Sequence, residues 1–464
     1  MGVGASRRFA PTEVMVDMKG KKVLVVGLGR TGLACTRFLA ERGAEVIVSE
    51  VRPEAQIQEE LRGIEGFAVR VETGTHREDS FLSADLIVVS PGVPLNIPPL
   101  ERAQRKGKEI VSEIELAYRF CGCPIIAVTG TNGKSTTTAL LGEIFRTAGK
   151  KVFVGGNLGN PMIEMFFSPG QVEYIIAEIS SFQLEAISQF RPFISILLNI
   201  TSDHLDRYAS YEAYIEAKGR VFQNQGAGDY AIVNADDPEC TKLAARTKAQ
   251  VSFFSTRRQL KAGCCADGDC LCYLSGEMRE LFPVKDLSLT GVHNYENIMA
   301  SILASRICGV STDTIRLCLS RFMALEHRME LVRVVNAVRF YNDSKGTNVG
   351  AVVRSLESFP SNLILIAGGK DKGGDYRILR EPARGRVKAL VLLGQAKEKI
   401  REALGDMVPT HVVKDLEEAV TTAFKIASPG DTVLFSPACS SFDMFRNFEE
   451  RGEIFKKLVN RLPG

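Results

Sequence analysis

No apolar run in this chain approaches the ~18–20 residues needed to cross a bilayer. The longest candidates, such as Phe193 to Ile200, are the size of a strand, which excludes a helical membrane span. Charge of either sign is in little excess: the net is +3 over 464 residues. Nucleic acid and membrane surfaces therefore have no electrostatic claim as partners. The N-terminus lacks the apolar core of a signal peptide. The 11 cysteines are dilute, so reduced thiols and a cytoplasmic location are expected. Internal repeats and low-complexity tracts are absent. What is present is an ordinary globular composition, 45% hydrophobic and 24% charged, in a chain long enough for two to four domains. Residues 1–18 read as a flexible leader.

The stretch Pro124 to Leu141, PIIAVTGTNGKSTTTALL, organises the rest. Ile125 to Val128 reads as a buried strand. It breaks into Thr129-Gly130-Thr131-Asn132-Gly133-Lys134-Ser135, and apolar residues at Leu140, Leu141, Ile144 and Phe145 follow at helical spacing. Strand, glycine loop, Gly-Lys-Ser and helix make a phosphate-binding loop, in which backbone N–H groups and the helix N-terminus face the phosphates. Lys134 would reach the β- and γ-phosphates, and the Ser135 hydroxyl would hold Mg²⁺. The strict pattern wants a first glycine where Val128 stands, so the loop is a shortened variant.

A second glycine loop lies earlier. Lys22 to Val26 is a strand, Gly27-Leu28-Gly29-Arg30-Thr31-Gly32 is a full G-x-G-x-x-G, and a helix runs to Arg42 before the strand Val46 to Val48. By spacing alone this is a dinucleotide fingerprint, with Glu50 placed for a ribose hydroxyl. An NAD enzyme and a Rossmann-like domain holding another nucleotide, or none, both remain open. Leu86 to Val89 adds a strand that runs into Ser90-Pro91-Gly92.

After the phosphate loop, strands repeatedly end in polar residues: Asn157, then Glu178, then Asn199, Asp203, His204 and Asp206. In a doubly wound sheet these ends meet at one edge, where a carboxylate and an imidazole can complete a metal–phosphate site. Lys218 falls mid-helix between Tyr211 and Gln223; such a lysine is normally solvated, and nothing local marks it out. Cys264, Cys265, Cys270 and Cys272 lack the paired C-x₂-C of structural zinc sites, and Ala266-Asp267-Gly268-Asp269 suggests a hairpin turn. From about residue 325, strands and helices alternate again, with polar loops at Asn342–Asn348, Gly368–Lys372 and Ser436–Asp443. That alternation predicts a mostly parallel sheet.

The segment Val128 to Thr136, the pair His293-Asn294 and the pair His327-Arg328 together resemble the Mur ligases, ATP-dependent amide-forming enzymes of peptidoglycan precursor synthesis. Gly27 to Gly32, Asn342 to Asn348 and Ser436 to Asp443 are most similar to the members that add D-glutamate to UDP-N-acetylmuramoyl-L-alanine. The resemblance runs from about residue 20 to the end. It implies an α/β protein of three domains: a Rossmann-like UDP-substrate domain (19–112), a central P-loop-type mononucleotide-binding ATPase domain (113–324), and a C-terminal Rossmann-like domain (325–464) that binds the amino acid and closes over ATP. It favours UDP-sugar over NAD in the first domain.

Residue by residue, the resemblance implies ATP contacts at Gly130, Thr131, Asn132, Gly133, Lys134, Ser135, Thr136, Asn294, Asn297, Arg328 and Asp343. UDP-substrate contacts fall at Gly29, Arg30, Thr31, Gly32, Glu50, Arg52, Ser90, Gly92, Asn157 and His204. Val51 stands where a hydroxyl residue is common in the uracil pocket. D-glutamate contacts fall at Thr347, Lys372, Ser441 and Phe448. Catalytic roles go to Lys134, Glu178, His204, Lys218, Asp343 and Lys345. Two Mg²⁺ sites, open to Mn²⁺, involve Ser135, Glu178, His204 and a carbamylated Lys218. A monomer is expected. The rivals are a family member adding another amino acid, an NAD-dependent enzyme with a fused nucleotide domain, and a nucleotide-gated binding protein.

Overall fold

The computed structural model describes residues 17–157, 159–167, 170–205, 207–289, 291–323 and 325–463. Most of the expected leader, and Asp206, lie outside them. The first sheet contains β1 (Lys22–Val26), β2 (Glu45–Glu50), β3 (Val69–Thr73), β4 (Leu86–Val89) and β5 (Glu109–Ser112), in the order β3-β2-β1-β4-β5. All four pairings are parallel. β1 and β4 are buried almost throughout, as expected where helices cover both faces of a parallel sheet. The order reverses between β1 and β4, and ligands of such sheets bind outside the strand ends at that reversal. β3 and β5 did not stand out in the sequence, because Val69–Thr73 and Glu109–Ser112 carry charged residues at the sheet's two edges.

The second sheet contains β6 (Ile125–Thr129), β7 (Val152–Gly156), β8 (Tyr174–Glu178), β9 (Ile194–Leu197), β10 (Tyr230–Asn234), β11 (Gln250–Ser255), β12 (Gly263–Asp267), β13 (Cys270–Ser275) and β14 (Met278–Pro283). Its nine strands run β14-β13-β12-β11-β10-β9-β6-β8-β7. β6 is fully buried at the point where the order turns. β12 and β13 form the hairpin expected around Gly268-Asp269, with Cys265 opposite Cys272 and Asp267 opposite Cys270. Cys264, Cys265 and Cys272 are buried thiols in that hairpin.

The third sheet contains β15 (Glu330–Val335), β16 (Val338–Asn342), β17 (Leu363–Gly368), β18 (Val387–Leu393), β19 (Thr410–Val412) and β20 (Thr432–Phe435), in the order β15-β16-β20-β17-β18-β19. Only the β15–β16 pair is antiparallel. Apolar clusters cover both faces of this sheet, around Leu365 and Leu392 on one side and around Ile366 and Val391 on the other.

The chain forms two compact units. One carries the first two sheets; the other combines Thr201–Tyr214, Ser288–Asn294 and Phe322–Gly464 and carries the third. Inside the first unit the two sheets are joined by the helix Glu113–Phe120. Buried Glu115 accepts from the amides of Ser188, Gln189 and Phe190. The Phe38 ring lies 5.0 Å from those of Phe120 and Phe166, under the Arg42 guanidinium.

Candidate active site

In the first sheet the glycine loop leaves β1 and enters the helix Arg30–Glu41. A Cβ on Gly32 would stand 1.9 Å from the Gly27 carbonyl oxygen, so only glycine lets this helix pack against its strand. Across the reversal, Ser90 Oγ donates to the Gly27 carbonyl at 3.0 Å. Gly29 and Gly92 have open space on their Cβ side. Glu50 is buried and accepts from the Leu28 amide (2.8 Å), the Arg52 amide (2.9 Å) and the Arg52 guanidinium (3.1 Å). Arg52 also reaches Glu60 (3.0 Å) and the Leu28 carbonyl (3.2 Å). Burial raises the Glu50 carboxyl, but these donors outweigh it and hold the group below its ordinary range. Glu50 thus fixes the loop, a role the fingerprint alone did not reveal. Arg30 donates to Asn160 Oδ1, and Thr31 follows it in the helix's first turn. Val51 is exposed.

In the second sheet β6 delivers Gly130, and Gly133 caps the helix Lys134–Thr147 in a left-handed conformation, φ +89°. A Cβ at Gly133 would stand 2.3 Å from Asn297 Oδ1. Asn199, at the end of β9, clasps the loop: it accepts from the Asn132 amide (2.9 Å), donates to the Asn132 carbonyl (3.0 Å), and takes the Thr131 amide on its own carbonyl (2.8 Å). Buried Asn297 accepts from Thr137 Oγ1 at 3.2 Å. Lys134 Nζ donates to the carbonyls of Gly130 (2.9 Å) and Thr131 (2.8 Å). Lys218 Nζ donates to that same Gly130 carbonyl at 2.9 Å and is only 2% exposed.

The solvated helix lysine expected from local sequence is therefore a buried cation at the phosphate loop. The correction is tertiary: the helix Tyr211–Gly219 buries Lys218 along with Tyr214, Ile215 and Ala217. Glu178, at the end of β8 and in register with Val128, is buried and accepts from Asn157 Nδ2 at 2.7 Å. Ser135 and Thr136 are buried in the first turn of the loop helix.

In the second unit, strand ends of the third sheet gather the remaining candidates. Asp343 follows β16 and accepts from Ser355 Oγ (2.7 Å) and Ser436 Oγ (2.6 Å). Burial raises its carboxyl, against those donors and Arg328. Burial also pushes His293 down to about 4, with Arg354 and Arg328 adding to the effect, so His293 is a neutral imidazole beside two cations. Asn294 is half-buried next to it. Lys345 Nζ lies 3.6 Å above the Phe448 ring. The Lys345 carbonyl accepts from the Thr347 amide.

Lys372 pairs with Asp203 at 3.5 Å, and Asn348 Nδ2 donates to the other Asp203 oxygen at 2.9 Å. His204 Nε2 is 3.6 Å from that Asp203. Ser441 is buried, its carbonyl taking the amides of Met444 and Phe445. Asp203 thus acts as the seat of Lys372. Arg451, which sequence reading missed, is buried and donates to Ser344 Oγ (3.0 Å), the Ser344 carbonyl (2.6 Å) and the Cys439 carbonyl (3.1 Å). It ties the Asn342–Asn348 loop to the Ser436–Asp443 loop; its helix carries no local sign of that role. Glu326, His327 and Glu453 also converge, but Lys456 Nζ already sits on both carboxylates, at 3.3 and 3.2 Å.

Three family models match in this order: Mur ligase MurD-like, N-terminal domain, over 21–112; Mur ligase middle domain over 128–305; and Mur ligase, glutamate ligase domain, over 327–439. A curated UDP-N-acetylmuramoylalanine–D-glutamate ligase from Geotalea uraniireducens is 51% identical over 447 residues, covering 96% of this chain and 99% of that one. Among solved structures, a pseudomurein peptide ligase type C from Methanothermus fervidus has the same fold at 18% identity, with a TM-score of 0.61 over 96% of this chain and all of its own. A MurF ligase from Thermotoga maritima in complex with ADP matches with a TM-score of 0.59 at 17% identity, over 90% of this chain and 96% of its own. No helix among the described residues is long and apolar enough to cross a membrane. With three matching domains in order and half its residues shared end to end with a curated relative, the chain belongs to the Mur ligase family, whose members use ATP.

Proposed function

We propose that this protein is the ADP-forming ligase that joins D-glutamate to UDP-N-acetylmuramoyl-L-alanine in peptidoglycan precursor synthesis. The observation that carries the reading is the relative of that activity aligned over 96% of the chain at 51% identity. The site offers a physical role at each step. The substrate carboxylate attacks the γ-phosphorus of ATP, giving an acyl phosphate and ADP. The D-glutamate amine then attacks the acyl carbon, phosphate leaves, and the nitrogen loses a proton. Both steps need positioning and cancellation of crowded negative charge more than covalent help from the protein.

Lys134 supplies charge by moving from the Gly130 and Thr131 carbonyls onto the phosphates. Gly130 to Gly133 and Thr136 hold them through backbone and hydroxyl donors. Ser135 and buried Glu178 form an oxygen donor set suited to a hard cation. Mg²⁺ or Mn²⁺ bound there would screen the oxyanions, and His204 would serve a second ion. Lys218 as an ammonium does not fit a cation site, since it already faces the carbonyl that Lys134 uses. Carbamylation would turn it into an anion that does.

Asn294, Asn297, Arg328 and Asp343 hold the nucleotide, and Lys345 joins them at the phosphates. Lys372, seated by Asp203, takes a carboxylate of D-glutamate, with Thr347, Ser441 and Phe448 completing that site. Gly29, Arg30, Thr31, Gly32, Glu50, Arg52, Ser90, Gly92 and Asn157 hold the UDP substrate. The protein acts as a cytoplasmic monomer. Incubation with UDP-N-acetylmuramoyl-L-alanine, ATP and each of D-glutamate, L-alanine, L-lysine and diaminopimelate tests the reading. A product mass and phosphate release with D-glutamate alone are expected; release with another amino acid and not D-glutamate overturns it.

A further inference from the structure

Between the helix Glu113–Phe120 and β6 the chain reads Cys121-Gly122-Cys123-Pro124. The two sulfurs lie 3.5 Å apart. Cys121 Sγ also contacts the Cys123 carbonyl (3.2 Å) and amide (3.5 Å), so both side chains turn to the same side of a tight bend. Both cysteines are half-buried and Gly122 is exposed, which leaves the pair open to a small reagent. Glycine between them is the residue most tolerant of the backbone adjustment that a short ring requires.

Cys121 is chemically unlike the other cysteines that shift, its partner included: the hydrogen bond to Cys121 and burial raise the Cys123 thiol. The Cys123 thiol, donating to Cys121, holds the Cys121 thiol below its ordinary range. Burial instead pushes Cys308 and Cys439 up to about 12 each, and raises Cys35, Cys240 and Cys264 well above theirs. This bend places a thiol held below its ordinary range 3.5 Å from a second thiol that can resolve a mixed disulfide.

We propose that Cys121 and Cys123 are a dithiol modification site, closed to an intramolecular disulfide by exchange with a small-molecule disulfide such as oxidised glutathione. The Cys121 thiolate attacks one glutathione sulfur; the S–S bond of the reagent breaks and one glutathione thiolate leaves. Cys123 then loses its proton and attacks Cys121 Sγ, expelling the second glutathione. Two protein thiols become one disulfide, one glutathione disulfide becomes two thiols, and both protons end on glutathione. The ring closes directly ahead of β6, the strand that feeds Gly130.

The test uses the full-length reduced protein, equilibrated in glutathione buffers of increasing oxidation, quenched by alkylation after unfolding, and read by peptide mass. The peptide carrying Cys121 and Cys123 is expected to lose two hydrogens and take no alkyl group while the other cysteines still alkylate. Cys123→Ser is expected to stop with one glutathione on Cys121. Cys121→Ser is expected to take up glutathione at Cys123 at least tenfold more slowly than Cys123→Ser does at Cys121. Retained ATP-dependent product formation reports that both variants are folded. A native-sequence peptide that keeps a glutathione, a pair that oxidises no earlier than Cys270 or Cys308, or equal rates in the two variants would overturn the proposal.

Discussion

Gly27–Gly32 and Gly130–Gly133 are one backbone device used twice in the same unit. Each leaves a buried strand that pairs in parallel on both sides at the reversal point of its sheet, and each opens a helix at its N-terminus. Their side-chain surroundings differ in sign. The first loop is clasped by a carboxylate, Glu50, through the Leu28 amide. The second is clasped by a neutral amide, Asn199, and faced by two ammonium groups on one carbonyl. Anionic Glu50, sharing Arg52 with Glu60, sets a geometry and leaves that cluster without a positive excess. With Lys218 as the unmodified ammonium, paired cations at Gly130 raise the potential where phosphates would sit, and carbamylation would replace one of them by an anion. Backbone shape selects the kind of ligand, and the charges placed around it decide whether the ligand is held or reacts.

The largest effect should come from stripping the second loop of its charge. Lys134→Ala is expected to lower the rate of phosphate release by about 10³-fold, the scale for removing a preorganised charge stabiliser, with the thermal midpoint little changed. Lys218→Ala should cost roughly 10²-fold on the same scale. If it left the rate unchanged, the two-cation contrast between the loops would fail. In the first loop the expected losses are in stability and substrate affinity. Gly32→Ala forces a Cβ to 1.9 Å from a carbonyl oxygen and should destabilise by about 3 kcal/mol in urea unfolding, the upper end for overpacking, with a raised KM for the UDP substrate.

Glu50→Gln is the smallest, about 1 kcal/mol, the worth of one charge-assisted bond above a neutral one. It carries a pH signature. Folded Glu50 stays charged below the pH at which the unfolded chain takes up its proton. Its contribution is therefore complete above the unfolded value of about 4.3 and is lost as pH falls through the lower folded value. Urea midpoints measured from pH 6 downward should converge for the two proteins; a constant gap would show that the carboxylate's charge is not what holds the loop.

Much of this was legible from residues alone. Val128 to Thr136 announced a phosphate loop because strand, glycines and Gly-Lys-Ser are contiguous. β12 and β13 were legible as a hairpin because Asp267-Gly268-Asp269 is turn chemistry. Glu178, Asn199, Asp203 and His204 could be picked out as polar residues at strand ends. Their partners could not. Asp203 binding Lys372, Asn199 bracing Asn132, and Arg451 bridging Ser344 and Cys439 join residues 169, 67 and 107 positions apart or span two loops. The edge strands β3 and β5 were missed for a related reason: half-solvated positions do not advertise themselves as apolar runs.

What the sequence by itself determined is the set of short-range devices: two glycine loops, a Gly-Lys-Ser helix start, alternating strands and helices, and the motifs that point to one family. These depend on backbone conformation and spacing within a few residues, which composition encodes directly. Only the tertiary structure decided that Lys218 is buried against Gly130 and that Glu50 is turned inward on its own loop. A side chain's burial and charge partners are set by which distant strand end arrives beside it, and no local pattern carries that information.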